Sequence, residues 1–132
     1  MRETAIAYEA ATDLPFAQAV ARCREELAKE GFGVLTEIDL QAKFREKLGK
    51  ETPPNLILGA CHPPSAYRSV QAVPEVTVLL PCNVAVTVES GRTVVRAMNP
   101  EAAMALLHNG VLQAVAAEVG AALRRVVERV TG

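Results

Sequence analysis

The chain has 132 residues, a formal net charge of −1 and an apolar content of 50%. That length is typical of one domain, so we expect residues 1–132 to form a single domain. The 14 Lys and Arg residues balance 15 Asp and Glu residues, and aromatic residues make up only 4%. The chain therefore lacks both a basic surface and base-stacking platforms, and we expect no nucleic-acid binding.

The sequence also bounds the location of the protein. The N-terminus has no apolar signal segment, and the longest apolar stretch, residues 76–88, is interrupted and too short to span a bilayer. We therefore expect no membrane association. Three cysteines are an odd number, which favours free thiols over a disulfide framework and predicts a reducing, cytoplasmic location.

A strand and a helix are predicted first. The alternation at Ile6 and Tyr8 indicates a strand over residues 4–11. A helix over residues 14–30 follows, with Asp13 as its N-cap. Its apolar side chains recur on one face, at Phe16, Val20, Cys23 and Leu27.

The middle of the chain predicts two more strands and two short helices. A strand over residues 32–38 leads into a helix over residues 40–48, which Asp39 caps. Residues 55–61, NLILGAC, are apolar on both faces. They predict a central strand that is covered on both sides or lies at an interface. A helix over residues 65–72 comes next.

The last third predicts a β-hairpin and a long helix. Apolar residues occupy every even position from 76 to 88, which predicts one long strand over residues 76–89, with Pro81 at an edge or bulge. A return strand covers residues 93–98. Asn99 then caps a helical stretch that reaches the C-terminus, with a break at residues 109–110.

These elements together predict a fold class. Their order is β-α-β(4)-α, with two short helices inserted between strands. Such an order favours an α+β two-layer sandwich, in which helices cover one face of a mostly antiparallel sheet.

Four segments resemble the domain of unknown function 302 family over about residues 30–100: NLILGACHPPSAYRSV, LLPCNVAV, GFGVLTEID and Lys47-Leu48-Gly49. The most specific feature is the combination of Cys-x-Pro at Cys61 with Leu-Pro-Cys-x-Val at residues 80–84. The resemblance implies a β-α-β(4)-α fold and no assigned activity. Family members often have Asn at the position of His62.

The first candidate site comprises Cys61, His62 and Cys82. If the strands that carry them are neighbours, the two thiols could form a redox pair, or the three side chains could bind a metal. Their spacing matches no standard zinc pattern, and a fourth ligand is missing. The alternative is that these cysteines only pack in the core, and we favour it for Cys82. For Cys61, which ends a strand, packing and function are equally supported.

A helix N-terminus near Ser65 suggests a ligand of a different kind. Its free N–H groups favour an anion or carboxylate, with Arg68 as the counter-charge and Tyr67 closing the site. Glu37 and Asp39 form a further candidate, because they lie two residues apart at a strand end and could bind a cation or polar ligand. The alternative is that Asp39 only caps a helix and Glu37 is solvated.

The sequence supports three functional hypotheses and no named reaction, since no known catalytic or nucleotide-binding motif is present. The first is a non-catalytic ligand-binding or interaction module that acts as a homodimer. Its interface would use the C-terminal apolar stripe and the two-sided strands, although such faces bury equally well within one chain. The others are a thiol-dependent redox enzyme and a metal-binding protein, both using Cys61 and Cys82. No cofactor is indicated.

Overall fold

The computed structural model describes all 132 residues and contains one six-stranded antiparallel sheet with strand order β1-β2-β6-β5-β4-β3. The strands are β1 (Arg2–Glu3), β2 (Ala7–Thr12), β3 (Gly33–Asp39), β4 (Asn55–Cys61), β5 (Cys82–Glu89) and β6 (Arg92–Met98). The α-helices are α1 (Phe16–Lys29), α2 (Leu40–Leu48), α3 (Pro63–Ala72), α4 (Pro100–Met104) and α5 (Gly110–Thr131). Short 3₁₀ helices cover Pro74–Leu79 and Ala105–Leu107. The predicted α+β sandwich is confirmed.

The hydrophobic core lies between one face of the sheet and helices α1 and α5. Strands β4, β5 and β6 direct alternate residues toward it, among them the fully buried Leu58, Val84 and Val95. The apolar stripe of α5 closes the core from the other side, at Val115, Val119, Leu123, Val126 and Val130. Because this stripe is buried within the chain, it is not available as the subunit interface that the sequence suggested.

The predicted strand over residues 76–89 is wrong in its first half. Residues Pro74–Leu79 form a 3₁₀ helix, the Leu80–Pro81 peptide bond is cis, and β5 begins only at Cys82. The alternating pattern in the first half has a different cause, because Val76 is buried in a small second core while Val78 is 84% exposed. Only the pattern from Cys82 onward reflects a strand.

Helix ends follow the predicted caps with one exception. The Asp39 side chain accepts a backbone N–H in the first turn of α2, and Gly49 ends that helix with a positive φ. Asp13, by contrast, does not cap α1, because Pro15 occupies the N-cap position. The exposed Asp13 carboxylate instead pairs with Arg92 on β6.

The C-terminal helical stretch is interrupted as predicted. Helix α4 ends at Met104, a 3₁₀ turn follows, and His108 adopts a positive φ. The side chain of Asn109 then caps α5 by accepting two backbone N–H groups. None of the helices combines the length and the apolar character needed to cross a lipid bilayer.

Strand β4 is covered on its second face by neighbouring side chains instead of by a second helical layer. Gly59 is buried there because Thr36 on β3 and Pro81 lie directly over it. Ile57, on the same face, is only partly buried. The apolar character of both faces of this strand therefore reflects close packing at Gly59 and does not require an interface.

We expect Gly59→Ala to lower the free energy of unfolding by about 1–3 kcal/mol, the usual cost of overpacking. The added Cβ would lie 2.1 Å from Thr36 Oγ1 and 2.9 Å from Pro81 Cγ, so both neighbours must move. Gly33→Ala is the matched control, because its Cβ meets no heavy atom within 4 Å. Urea denaturation measures both variants, and equal stabilities would contradict this account of β4.

Candidate functional site

A cavity of about 230 Å³ lies at the end of the sheet where β4 ends and β5 begins. Helix α3 and the 3₁₀ segment form one side, and α4 and α5 form the other. Most of its wall is apolar, with contributions from Phe32, Leu80, Met104, Val115 and Val119. No Asp, Glu, Lys or Arg side chain lines it. The cavity is thus a hydrophobic space that is partly open to solvent and has few polar groups.

The local sequence explains why a space remains here. β4 ends at Cys61, and the register pairs Ala60 with Cys82, so the next position of β5 would be Pro81. Proline has no N–H and cannot extend the ladder, and the chain leaves the sheet at this point. Across the gap, the small side chain of Ala116 on α5 does not fill the volume that opens.

His62 and Ser65 form the main polar pair in the wall. The Nδ1 atom of His62 lies 2.7 Å from Ser65 Oγ, and this is the hydrogen bond that the Ser65 hydroxyl makes. The hydroxyl proton needs an acceptor, so we assign the Ser65 O–H as donor to Nδ1, which places the ring proton on Nε2. The imidazole also packs against Phe32, with ring centroids 5.5 Å apart.

The backbone at Gly31 makes room for the imidazole of His62. A Cβ at Gly31 would lie 3.3 Å from His62 Cδ2 and Nε2, and the φ of Gly31 is +83°. Both the close approach and the left-handed conformation favour glycine. The glycine that ends α1 therefore also positions the histidine ring.

Cys61 and Cys82 both line the cavity, and both are free thiols. Burial raises the pKa of the Cys61 thiol. Burial, followed by the proximity of Cys61, raises the pKa of Cys82 to about 11. Burial in the core raises the pKa of Cys23 to about 12. The structure thus offers protonated thiols near neutral pH and gives neither cavity thiol the lowered pKa of a catalytic nucleophile.

A smaller cleft of about 170 Å³ lies beside the cavity at the protein surface. Its outer side carries the charged residues Glu30, Glu118 and Arg125. Its inner side is shared with the cavity and consists of Phe32, His62, Ser65 and Val119. The His62–Ser65 pair therefore lies in the wall between an apolar interior and a charged exterior.

Two of the predicted ligand residues on α3 lie outside the cavity. Tyr67 is 68% exposed, and Arg68 is exposed and forms an ion pair with Glu118 at 3.4 Å. Neither side chain lines the cavity wall. The helical periodicity of α3 turns them to the surface, while Ser65 and Ser69 face inward.

The start of α3 offers little to an anion. Pro63 and Pro64 occupy its first two positions and have no N–H, and the Ala66 N–H already donates to the His62 carbonyl. Only the Ser65 N–H of this first turn is left without an acceptor. The set of free amides that the sequence suggested is therefore reduced to one group.

Glu37 and Asp39 also lie outside the cavity. Glu37 forms an ion pair with Arg24 of α1, and Asp39 caps α2. No group of three or more His, Cys, Asp or Glu side chains is arranged to hold a metal ion. The structure accordingly brings together Cys61, His62, Ser65 and Cys82 from the predicted site and leaves Glu37, Asp39, Tyr67 and Arg68 elsewhere.

Several wall residues gave no functional signal in the sequence. Phe32 precedes a strand, and Met104 ends a short helix. Val115 and Val119 belong to an apolar stripe that is indistinguishable from core by spacing alone. Ala116 gave no signal either, because Ala114, Ala117 and Ala121 on the same helix are equally small.

The fold and the cavity define a class of protein: a small α+β sandwich with an antiparallel sheet and an apolar chamber at one sheet end. The family described as "Domain of unknown function DUF302" matches residues 8–130. The chain belongs to this family, as its resemblance at Cys61 and residues 80–84 implied.

One solved structure is similar over almost the whole chain. It is the crystal structure of an uncharacterized conserved DUF302 protein from Bacillus stearothermophilus, with a TM-score of 0.88 and 28% sequence identity. The match covers 93% of this chain and 96% of that one. No curated protein matches the chain significantly. The comparisons support the family and the fold and assign no activity.

We expect Cys61 to react with iodoacetamide at pH 7 more slowly than free cysteine, because burial raises the pKa of its thiol. The rate should increase as the pH rises past the ordinary thiol value of 9.0. Mass spectrometry of the alkylated chain gives the rate, and Cys61→Ser separates this site from Cys23 and Cys82. Alkylation of Cys61 faster than free cysteine at pH 7 would contradict this prediction and favour thiol chemistry.

Proposed function

We propose that the chain is a non-catalytic small-molecule-binding domain whose ligand occupies the cavity at the end of the sheet. The observation that carries this proposal is an apolar chamber of about 230 Å³ whose wall has few polar side chains, with His62 and Ser65 as its main polar pair. Ligand sites commonly combine an apolar lining with few convergent polar groups. A cavity of roughly 150 Å³ already binds benzene, so this volume suffices for a small organic molecule.

The same features support a binding role over catalysis. A nucleophilic serine needs a base that a third group orients, and no side chain accepts a hydrogen bond from His62 Nε2. The raised thiol pKa values of Cys61 and Cys82 give the redox alternative no support. The metal alternative lacks a suitable set of ligands. We therefore place no catalytic role on any residue of the cavity.

Filling the cavity tests this function. Ala116 lines the cavity and is 1% exposed, so Ala116→Leu should place its larger side chain in the ligand volume and weaken binding of isopropylbenzene at least ~10-fold. The shift of the Met104 methyl signal on titration reports binding, because Met104 also lines the cavity. Ala117→Leu is the matched control, because Ala117 follows Ala116 on the same helix but is exposed. Equal affinity in the two variants would contradict a ligand in this cavity.

We also propose that the chain acts as a homodimer through β3. This strand lies at the sheet edge, so one side of its backbone has no strand partner. It carries the exposed apolar residues Leu35 and Ile38. Leu35 also lines the cavity, and a second subunit at this edge would lie beside the cavity opening. The support is thus an unpaired edge with apolar side chains next to the ligand site.

Light scattering after size-exclusion chromatography tests the dimer. Ile38→Lys should shift the chain toward the monomer, because symmetry would bring like charges together across paired edges. Leu48→Lys on α2 is the control, since Leu48 is also exposed and lies outside β3. A wild-type chain that elutes as a monomer, or an equal effect of both substitutions, would contradict the proposed interface.

We further propose that residues 1–132 act as one domain in the cytoplasm. A single sheet runs through the chain from β1 to β6, and three free thiols suit a reducing compartment. Fractionation of cells that produce the tagged chain would test the location.

A further inference from the structure

Resting on the proposed function, we infer that the ligand is an uncharged molecule of about nine non-hydrogen atoms whose one hydrogen-bond acceptor binds the Nε2–H of His62. A small aromatic or alicyclic ketone or aldehyde has this chemistry. Three independent observations lead to this class: the charge of the wall, the volume of the cavity and the hydrogen-bond state of its polar groups.

The charge of the wall excludes an ionised ligand. No Asp, Glu, Lys or Arg lines the cavity, so a buried carboxylate or ammonium would have no counter-ion. The nearest charges lie in the outer cleft and are already paired. Arg125 binds Glu30 at 2.8 Å, and Arg68 pairs with Glu118 at 3.4 Å. This argues against the anionic ligand that the sequence suggested.

The volume sets the size of the ligand. A closed apolar cavity of roughly 150 Å³ holds benzene, which has six non-hydrogen atoms. At the same packing, about 230 Å³ corresponds to about nine such atoms. Larger molecules would have to protrude into the charged cleft on the far side of His62.

The hydrogen bonds of the wall identify the group that recognises the ligand. Each hydroxyl in the lining already donates within the protein: Ser65 to His62 Nδ1, Ser69 to the Ser65 carbonyl and Thr77 to the Pro74 carbonyl. Among the side chains, the remaining donors are two weak thiols and the Nε2–H of His62, which has no protein acceptor. The backbone N–H of Ser65 is also without an acceptor, and the His62→Phe variant described below distinguishes it from His62. A carbonyl oxygen on the ligand supplies that acceptor.

Three probes of matched size test this class on the wild-type chain: acetophenone, isopropylbenzene and benzoate, each of about nine non-hydrogen atoms. Titration is followed at the Met104 methyl signal, within the cavity wall. We take the advantage of acetophenone to be its affinity relative to isopropylbenzene after correction for their different free energies of transfer from water, and we expect it to be about 5- to 10-fold because one hydrogen bond is gained. Benzoate should produce no saturable shift.

Two variants assign the donor. His62→Phe keeps an aromatic ring against Phe32 but removes Nε2, so the advantage of acetophenone over isopropylbenzene should disappear while isopropylbenzene still binds. His62→Gln retains an N–H donor and should preserve part of that advantage. The second variant also provides a test if the first does not fold.

The outcomes separate the two proposals. If isopropylbenzene binds but acetophenone has no advantage, or benzoate binds as tightly, the ligand class is overturned and the binding function stands. If the advantage of acetophenone persists in His62→Phe, the assignment to His62 is overturned. If none of the three probes shifts the Met104 signal, the binding function and the ligand class are both overturned.

Discussion

The missing N–H of Pro81 is the constraint on which the candidate site depends. In the register of β4 and β5, Ala60 pairs with Cys82, so Pro81 lies at the position where Cys61 would find its next partner. Because proline cannot donate to that ladder, β5 begins one residue later and the preceding chain is free to form the 3₁₀ segment. The sheet therefore ends unevenly, and the space beside it becomes the cavity.

Helix α5 forms the far wall of the chamber at this uneven end of the sheet. At Gly120 the helix approaches Tyr8 and Pro100 so closely that a Cβ would lie 3.0 Å from the Tyr8 hydroxyl. One turn earlier, Ala116 faces the cavity and leaves it unfilled. The tight contact at Gly120 holds the helix in place, so the gap at Ala116 cannot close by a simple shift of the helix toward the sheet.

Much of the fold could be predicted because local patterns and tertiary structure agree. The alternation from Cys82 onward is that of a strand, and the spacing of Phe16, Cys23 and Leu27 is that of a half-buried helix. Residues 74–79 could not be predicted in the same way. Their even-numbered apolar residues mimic a strand, but Val76 alone enters a core while Val78 is exposed. The spacing of apolar residues shows where they lie in the sequence, but it does not show which of them are buried against other side chains.

In the candidate site, too, some residues could be predicted from the local sequence and others could not. Cys61, His62 and Ser65 could be grouped from the sequence because they follow one another at a strand end, and the pairing of neighbouring strands adds Cys82. Arg68 was grouped with them by proximity in sequence alone, although helix geometry points it to the surface. Met104 could not be found, because only the tertiary fold brings α4 to this end of the sheet.

The polarity of the chamber follows from how its hydroxyl groups are used. Ser65 donates to His62 and Ser69 donates to the backbone carbonyl of Ser65, so both hydroxyl groups have an acceptor within the protein. A hydroxyl that is already engaged contributes little to a ligand, and it leaves the chamber more apolar than its composition indicates. Ser65 therefore acts through His62, because its hydroxyl group holds the imidazole in the assigned tautomer, while the apolar wall provides the volume. The end of β4 is followed directly by His62, which carries the free Nε2–H donor. Beside it, Pro81 ends the pairing of β4 with β5 and so leaves the space of the cavity.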